Sequence, residues 1–189
     1  DHAKGIYIAM ELVQGTTLRV WERHRPWRDV LDAYLAAARG LHAAHLAALI
    51  HRDFKPENVL VGTDGRVRVT DFGLARLAAE GDGVPVLGEL SSNLTQQGTV
   101  VGTPSYMAPE QIDGEPVDAR TDQFAWCLSA WEALFGESPW PIPTLAVRSA
   151  AMKTDVPKPP AKTRVPRAVT RVLLRGLHPR PAKRWPDME

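Results

Sequence analysis

The sequence of 189 residues predicts an α+β, mainly helical lobe. Three observations carry that expectation. Two long apolar stretches, 27–50 and 121–135, contain no proline and read as helices, the first repeating its apolar residues at three- and four-residue steps as an amphipathic helix does. Two short β-branched runs, 59–61 and 67–70, flank Gly62-Thr63-Asp64-Gly65, and an Asp-Gly pair between such runs marks a hairpin. A third β-rich run, GIYIAMEL, opens the chain and predicts a buried strand over 6–12, which VQGTT then breaks.

Taken in order after that strand, the helix over 27–50 places Leu31, Leu35, Ala38, Leu41, His45 and Leu49 on its apolar stripe. His42 and His45 lie three apart, as a metal pair could, but without an evident third ligand they read as packed or surface residues. The hairpin follows. Residues 75–103 are rich in Gly, Ser and Thr, show no period and read as a long loop. The helix over 121–135 stops at Gly136, a residue suited to a left-handed C-terminal cap, and its Phe124, Trp126, Trp131 and Phe135 belong to the core. The last helix, over 165–177, turns Val172, Leu173 and Leu177 inward and Arg167, Arg171 and Arg175 along one exposed edge.

Composition narrows the class. The hydrophobic fraction of 44% supports a real core, and a formal net charge of +1 gives no global attraction to nucleic acid or anionic membrane. Positive charge is nevertheless concentrated between Lys153 and Arg184, partly in the Pro-rich VPKPPAKTRVPR. A solvated face with a Pro-rich loop outweighs a nucleic-acid or lipid patch as the reading of that run. The single Cys127 allows no internal disulfide, fits a reducing compartment and reads as a small core residue. No apolar run reaches the length of a membrane span, and DHAKG is no signal peptide, so the expected location is cytoplasmic.

Chemistry concentrates in HRDFKPENVLVGTDGRVRVTDFG, residues 51–73. Asn58 precedes the first hairpin strand and Asp71 follows the second, so antiparallel pairing brings both to one end. Two hard oxygen ligands side by side suit Mg²⁺, with Mn²⁺ as the alternative. Asp53 lies close enough to accept a proton from a hydroxyl, and Lys55 adds a positive charge where phosphoryl oxygens gather charge. A base, a cation and a metal pair converging on one point describe phosphoryl transfer.

His51-Arg52-Asp53 through Lys55 to Asn58 resembles the catalytic loop of protein kinases, Asp71-Phe72-Gly73 their metal-binding motif, and Ala108-Pro109-Glu110 the motif closing their activation segment. The resemblance spans nearly the whole chain and is nearest to bacterial, eukaryotic-like Ser/Thr kinases. It implies a kinase-like C-terminal lobe with a hinge strand and a catalytic-loop hairpin. Residues 1–17 would be hinge strand and linker, 18–189 the lobe and 71–110 the activation segment, with the final helix cut short. By the same resemblance Asp53 is the catalytic base, Lys55 steadies the transferred phosphoryl group, and Asn58 and Asp71 hold the metals. Met10 would be the gatekeeper, Glu11 and Val13 would meet the adenine edge of ATP, and Leu60 would pack beneath its ring. His51 and Phe72 would stack in a spine, Asp122 would anchor the catalytic loop, and Glu110 would pair with Arg184. Arg52 would attract a phosphate on the activation segment, with Thr95 and Thr99 as the preferred phosphosites ahead of Ser91 and Ser92. Thr103 would have a positioning role.

The resemblance also implies an N-terminal lobe whose Gly-rich loop and strand lysine grip the ATP phosphates. Neither occurs in these residues: no G-x-G-x-x-G precedes the hinge, and only Lys4, in HAKG, precedes Lys55. The expectation is therefore a Ser/Thr protein kinase domain acting on a protein substrate, inactive as this chain alone. A non-catalytic docking or scaffold module is the alternative. A small-molecule phosphotransferase is opposed by Lys55, the Asp-Phe-Gly motif and the Ala-Pro-Glu segment.

Overall fold

The computed structural model describes residues 10–72, 105–141 and 144–189. Its elements are β1 (Gly15–Thr17), α1 (Leu18–Trp21), α2 (Trp27–Leu46), β2 (Val59–Gly62), β3 (Val67–Val69), α3 (Pro109–Ile112), α4 (Ala119–Phe135), α5 (Leu145–Thr154) and α6 (Arg167–Gly176). Short 3₁₀ turns cover Pro56–Asn58 and Pro181–Lys183. The mainly helical α+β class stands: one antiparallel sheet, ordered β1-β2-β3, lies among the helices.

The hairpin forms as expected. Val59 pairs with Val69 and Val61 with Val67, and Gly65 takes the left-handed conformation the turn demands, with φ 77°. The first strand, however, differs from the reading of the sequence. Residues 6–9 lie outside the described residues, and Met10 and Leu12 belong to no strand and are 65% and 89% exposed. The place against β2 is taken instead by Gly15–Thr17, the segment read as the break. Gly15 suits that position because a Cβ there would overlap the Val61 carbonyl.

Helix α2 ends at Leu46, and its buried stripe is Val30, Ala33, Tyr34, Ala37, Ala38 and Leu41. That stripe is rotated from the expected one: Leu35 is 40% exposed and Leu49, beyond the helix, is exposed too. Small residues decide the face. Val69 of β3 packs onto Gly40 at 3.3 Å from where a Cβ would sit, so the alanine-rich side admits the closest neighbours. Helix α4 runs through the centre, capped by Asp118 accepting from the Arg120 amide and ended by Gly136 at φ 76°. Its residues from Thr121 to Trp131 are all buried, which explains the absence of a polar face. Trp126 donates to the Tyr34 carbonyl at 2.9 Å, joining α4 to α2.

On α6 Leu173 and the following Leu177 are buried, as expected, while Val172 is 44% exposed. The crossing with α4 is centred on Gly176, where an added Cβ would collide with the Cys127 sulfur. Cys127 is buried, and burial pushes its thiol up to about 12, so it remains a neutral packing residue.

Candidate active site

Residues 51–53 are positioned from below by one buried carboxylate. Asp122, fully buried on α4, accepts from the backbone amides of His51 (2.8 Å) and Arg52 (2.7 Å) and pairs with His45 Nε2 at 2.7 Å. His45, expected on the apolar stripe of α2, joins that helix to the same anchor through Asp122. Nothing local in the sequence announces a contact between positions so far apart. Holding the loop this way places Arg52 at φ 68°, a left-handed conformation for a non-glycine residue, and Asp71 across the site is similar at φ 63°. Such backbone costs about 1–3 kcal/mol and persists where surrounding contacts over-determine it, commonly at functional sites.

His51 is a second fixed point. Its Nδ1 accepts from the Asp53 amide at 3.3 Å, so Nε2 carries the proton and donates to the Thr70 carbonyl at 2.8 Å. Its ring lies 4.7 Å from that of Phe72. The loop and the far end of the hairpin are thereby tied together, as Thr70 also donates through its amide to the Asn58 carbonyl at 2.9 Å.

The exposed end of this frame gathers four of the sequence-designated residues. Lys55 Nζ donates to Asp53 Oδ2 at 2.7 Å, and Asn58 Nδ2 donates to the Asp53 carbonyl at 2.9 Å and to Oδ2 at 3.2 Å. Among the described residues nothing bonds Asp53 Oδ1, and with its amide nitrogen committed, Asn58 keeps Oδ1 as an acceptor. Asp71 is exposed and receives a weak bond from the Thr70 hydroxyl at 3.3 Å. A free carboxylate and an amide oxygen at one end of a hairpin suit a hard cation. Among the described residues no cluster of three His, Cys, Asp or Glu side chains offers a protein-only metal site.

The other designated residues are spread more widely. Leu60 lies on β2, half-buried, on the face opposite Val59 and Val61. Glu11 is exposed but joined to the hairpin through Arg68 at 3.0 Å, while Val13 is half-buried ahead of β1. Met10, too, is exposed. Arg52 is half-buried, and its carbonyl accepts from Gln111 at 2.8 Å. Thr95, Thr99 and Thr103, like Ser91 and Ser92, lie outside the described residues.

Two further networks frame the site. Glu110 and Arg184 form a buried fork at 2.7 and 2.8 Å, with Thr121 donating to the same carboxylate at 2.9 Å. A second network joins residues with no local sequence signal between them. Arg19 of α1 bonds Glu57 (3.0 Å), Glu22 (3.0 Å) and the Tyr106 hydroxyl, and Tyr106 donates to Glu132 at 2.7 Å. Burial disfavours the Arg19 charge, but the contacts with Glu57, Tyr106 and Glu22 prevail and hold its pKa above the ordinary value. For Tyr106, burial and the bond to Glu132 both keep the phenol protonated. Tyr106 also lines a cleft of about 40 Å³ with Asp53 and Lys55, so this network fixes one wall beside the carboxylate.

The family model described as "Protein kinase domain" matches residues 1–188. A probable serine/threonine-protein kinase of Clostridium acetobutylicum is 31% identical over 184 residues, 95% of this chain and 26% of that protein. The serine/threonine-protein kinases PknL and PknD of Mycobacterium tuberculosis are each 34% identical, over 80% and 95% of this chain. The chain spans 36% of the first and 26% of the second.

Proposed function

The chain belongs to the protein kinase family, and on that premise we propose that it is the catalytic lobe of a cytoplasmic serine/threonine protein kinase. In this reading residues 18–189 form the lobe and 71–110 its activation segment, with the γ-phosphate of ATP passing to a protein Ser or Thr hydroxyl. The observation that carries it is the asymmetry of the Asp53 carboxylate. Oδ2 is held by Lys55 and Asn58, which leaves Oδ1 aimed outward to accept the proton of an incoming hydroxyl. As that oxygen bonds to the γ-phosphorus, the bond to the β,γ-bridging oxygen breaks and ADP leaves with the electron pair. The hydroxyl proton passes to Asp53. Lys55, on the same carboxylate, lies where it can also meet the transferring phosphoryl group and counter its charge.

Asn58 Oδ1 and Asp71 fit Mg²⁺, or Mn²⁺, by their oxygen chemistry. When bound, the metal neutralises phosphate charge. Glu11, Val13 and Leu60 are assigned to the adenine side of ATP. Arg52 is assigned to reception of an activation-segment phosphate on Thr95 or Thr99, with Thr103 as a positioning residue. Completing the phosphate grip takes the Gly-rich loop and lysine of an N-terminal lobe, which these 189 residues do not contain. The alternative reading is a docking module without catalysis.

Transfer from labelled ATP to a generic Ser/Thr substrate separates the readings. A longer protein carrying an N-lobe should be active and lose activity in Asp53→Asn, whereas residues 1–189 alone should bind Mg-ATP weakly and transfer negligibly. Robust transfer by residues 1–189, abolished in Asp53→Asn, would refute the dependence on a second lobe. An inactive longer protein would favour the docking reading.

A further inference from the structure

The basic run that the catalytic reading leaves unused is not scattered evenly over the surface. Lys162 and Arg164, from its Pro-rich segment, line one groove together with Arg25 and Arg28, which lie just before and within the first turn of α2. The groove encloses about 450 Å³, inside the ~300–1,000 Å³ span of ligand clefts. Trp27, Leu134, Phe135, Pro160 and Val165 make the apolar part of its wall, and no Asp or Glu lines it. All four cations are exposed, and none pairs with a carboxylate among the described residues.

Two of the guanidinium groups are pre-set. Arg25 stacks over the Trp21 ring at 4.0 Å while its Nε donates to the Trp21 carbonyl, and Arg28 stacks over Trp27 at 4.6 Å. Stacking holds the guanidinium plane and leaves edge N–H groups free for oxyanions. This differs from a solvated charged face, where long side chains move independently over open surface.

We propose that this groove is a docking site for an acidic peptide segment of a partner protein. Its carboxylates would meet Arg25, Arg28, Lys162 and Arg164, and its intervening apolar residues would meet the Trp27–Phe135–Pro160 wall. A second copy of this chain fits less well, because several of its acids are committed internally: Asp64 to Arg66 and Arg68, Asp113 to Lys153, and Glu22 and Glu57 to Arg19. The concave, aromatic-walled form suits an extended peptide more than a membrane plane. The site is separate from the Asp53 cleft and does not depend on phosphotransfer.

Fluorescence anisotropy with a labelled Glu-Glu-Leu-Pro-Glu-Glu peptide tests the proposal on the purified protein. The triple variant Arg28→Ala/Lys162→Glu/Arg164→Glu should weaken binding by on the order of tenfold or more. Arg180→Glu/Lys183→Glu, outside the groove, should change it by less than about twofold. If circular dichroism finds the triple variant unfolded, Lys162→Glu/Arg164→Glu in the exposed segment should give a loss in the same direction. Absence of peptide binding overturns the proposal, as do equal losses in the groove and control variants. So does tighter, groove-dependent binding of phosphatidylserine vesicles or of an oligothymidylate, which would assign the surface to membrane or nucleic acid.

Discussion

At the base of the molecule Arg184, Glu110 and Asp122 bond through every nitrogen or oxygen of their charged groups, whereas at the open end of the hairpin some charged oxygens are left without a partner among the described residues. Arg184 makes five bonds, two to Glu110 and one each to the carbonyls of His178, Arg120 and Pro179, matching the five N–H donors of a guanidinium. Asp122 likewise receives two backbone amides and His45. Asp53 instead binds partners through Oδ2 alone, and Asp71 has only a weak contact with its neighbour's hydroxyl. The difference teaches a way to sort polar residues. Saturated and buried groups hold the backbone in place; exposed groups with an unused oxygen are available to a substrate. The strained φ values of Arg52 and Asp71 sit where these two kinds of residue meet.

The largest effect that would break this contrast is at the base. Arg184→Ala leaves Glu110 buried without its partner and should cost about 3–5 kcal/mol in urea unfolding. At the open end, Asp71→Asn should leave the unfolding midpoint nearly unchanged. In a protein carrying both lobes it should slow phosphotransfer by roughly 10²–10³, corresponding to about 3–4 kcal/mol of lost transition-state stabilisation. Gly176→Ala inserts a methyl group against the Cys127 sulfur and should lower stability by about 1–3 kcal/mol, visible as a shifted thermal midpoint. The smallest effect comes from the buried charge that breaks the pattern. Arg148 Nε and Nη2 find no partner among the described residues, and burial lowers the Arg148 pKa against the pull of Glu132 and Tyr106. Arg148→Met should therefore be neutral or stabilise by about 1 kcal/mol, opposite in sign to Arg184→Ala.

Much of the open end was legible because its signals are local. Gly62-Thr63-Asp64-Gly65 specifies the turn, the turn fixes the register, and the register brings Asn58 and Asp71 together. Helix α4 was legible from its length and from Gly136. The base was harder. Glu110 and Arg184 followed only from family resemblance, and the His45–Asp122 pair spans two helices with no sequence signal linking them. Which face of α2 is buried could not be read from its leucines, since alanines and Gly40 allow the hairpin and α4 to approach more closely. Helix α5 escaped notice because LAVRSAAMKT carries little apolar periodicity; its position is set by tertiary packing against α3. Of the strand expected over 6–12, the described residues Met10 to Leu12 form none, and a polar triplet, Gly15–Thr17, whose small first residue fits there, pairs with β2.

The contrast between spent and unspent carboxylates is tested most directly by urea unfolding of Asp53→Asn and Asp122→Asn side by side. Asp53→Asn should stay within about 0.5 kcal/mol of the parent chain, as an exposed substitution does. Asp122→Asn should lose about 1–3 kcal/mol, because an amide nitrogen replaces an acceptor that faces buried donors. Equal losses, or a larger loss for Asp53→Asn, would contradict the division of the site into a structural base and a reactive end.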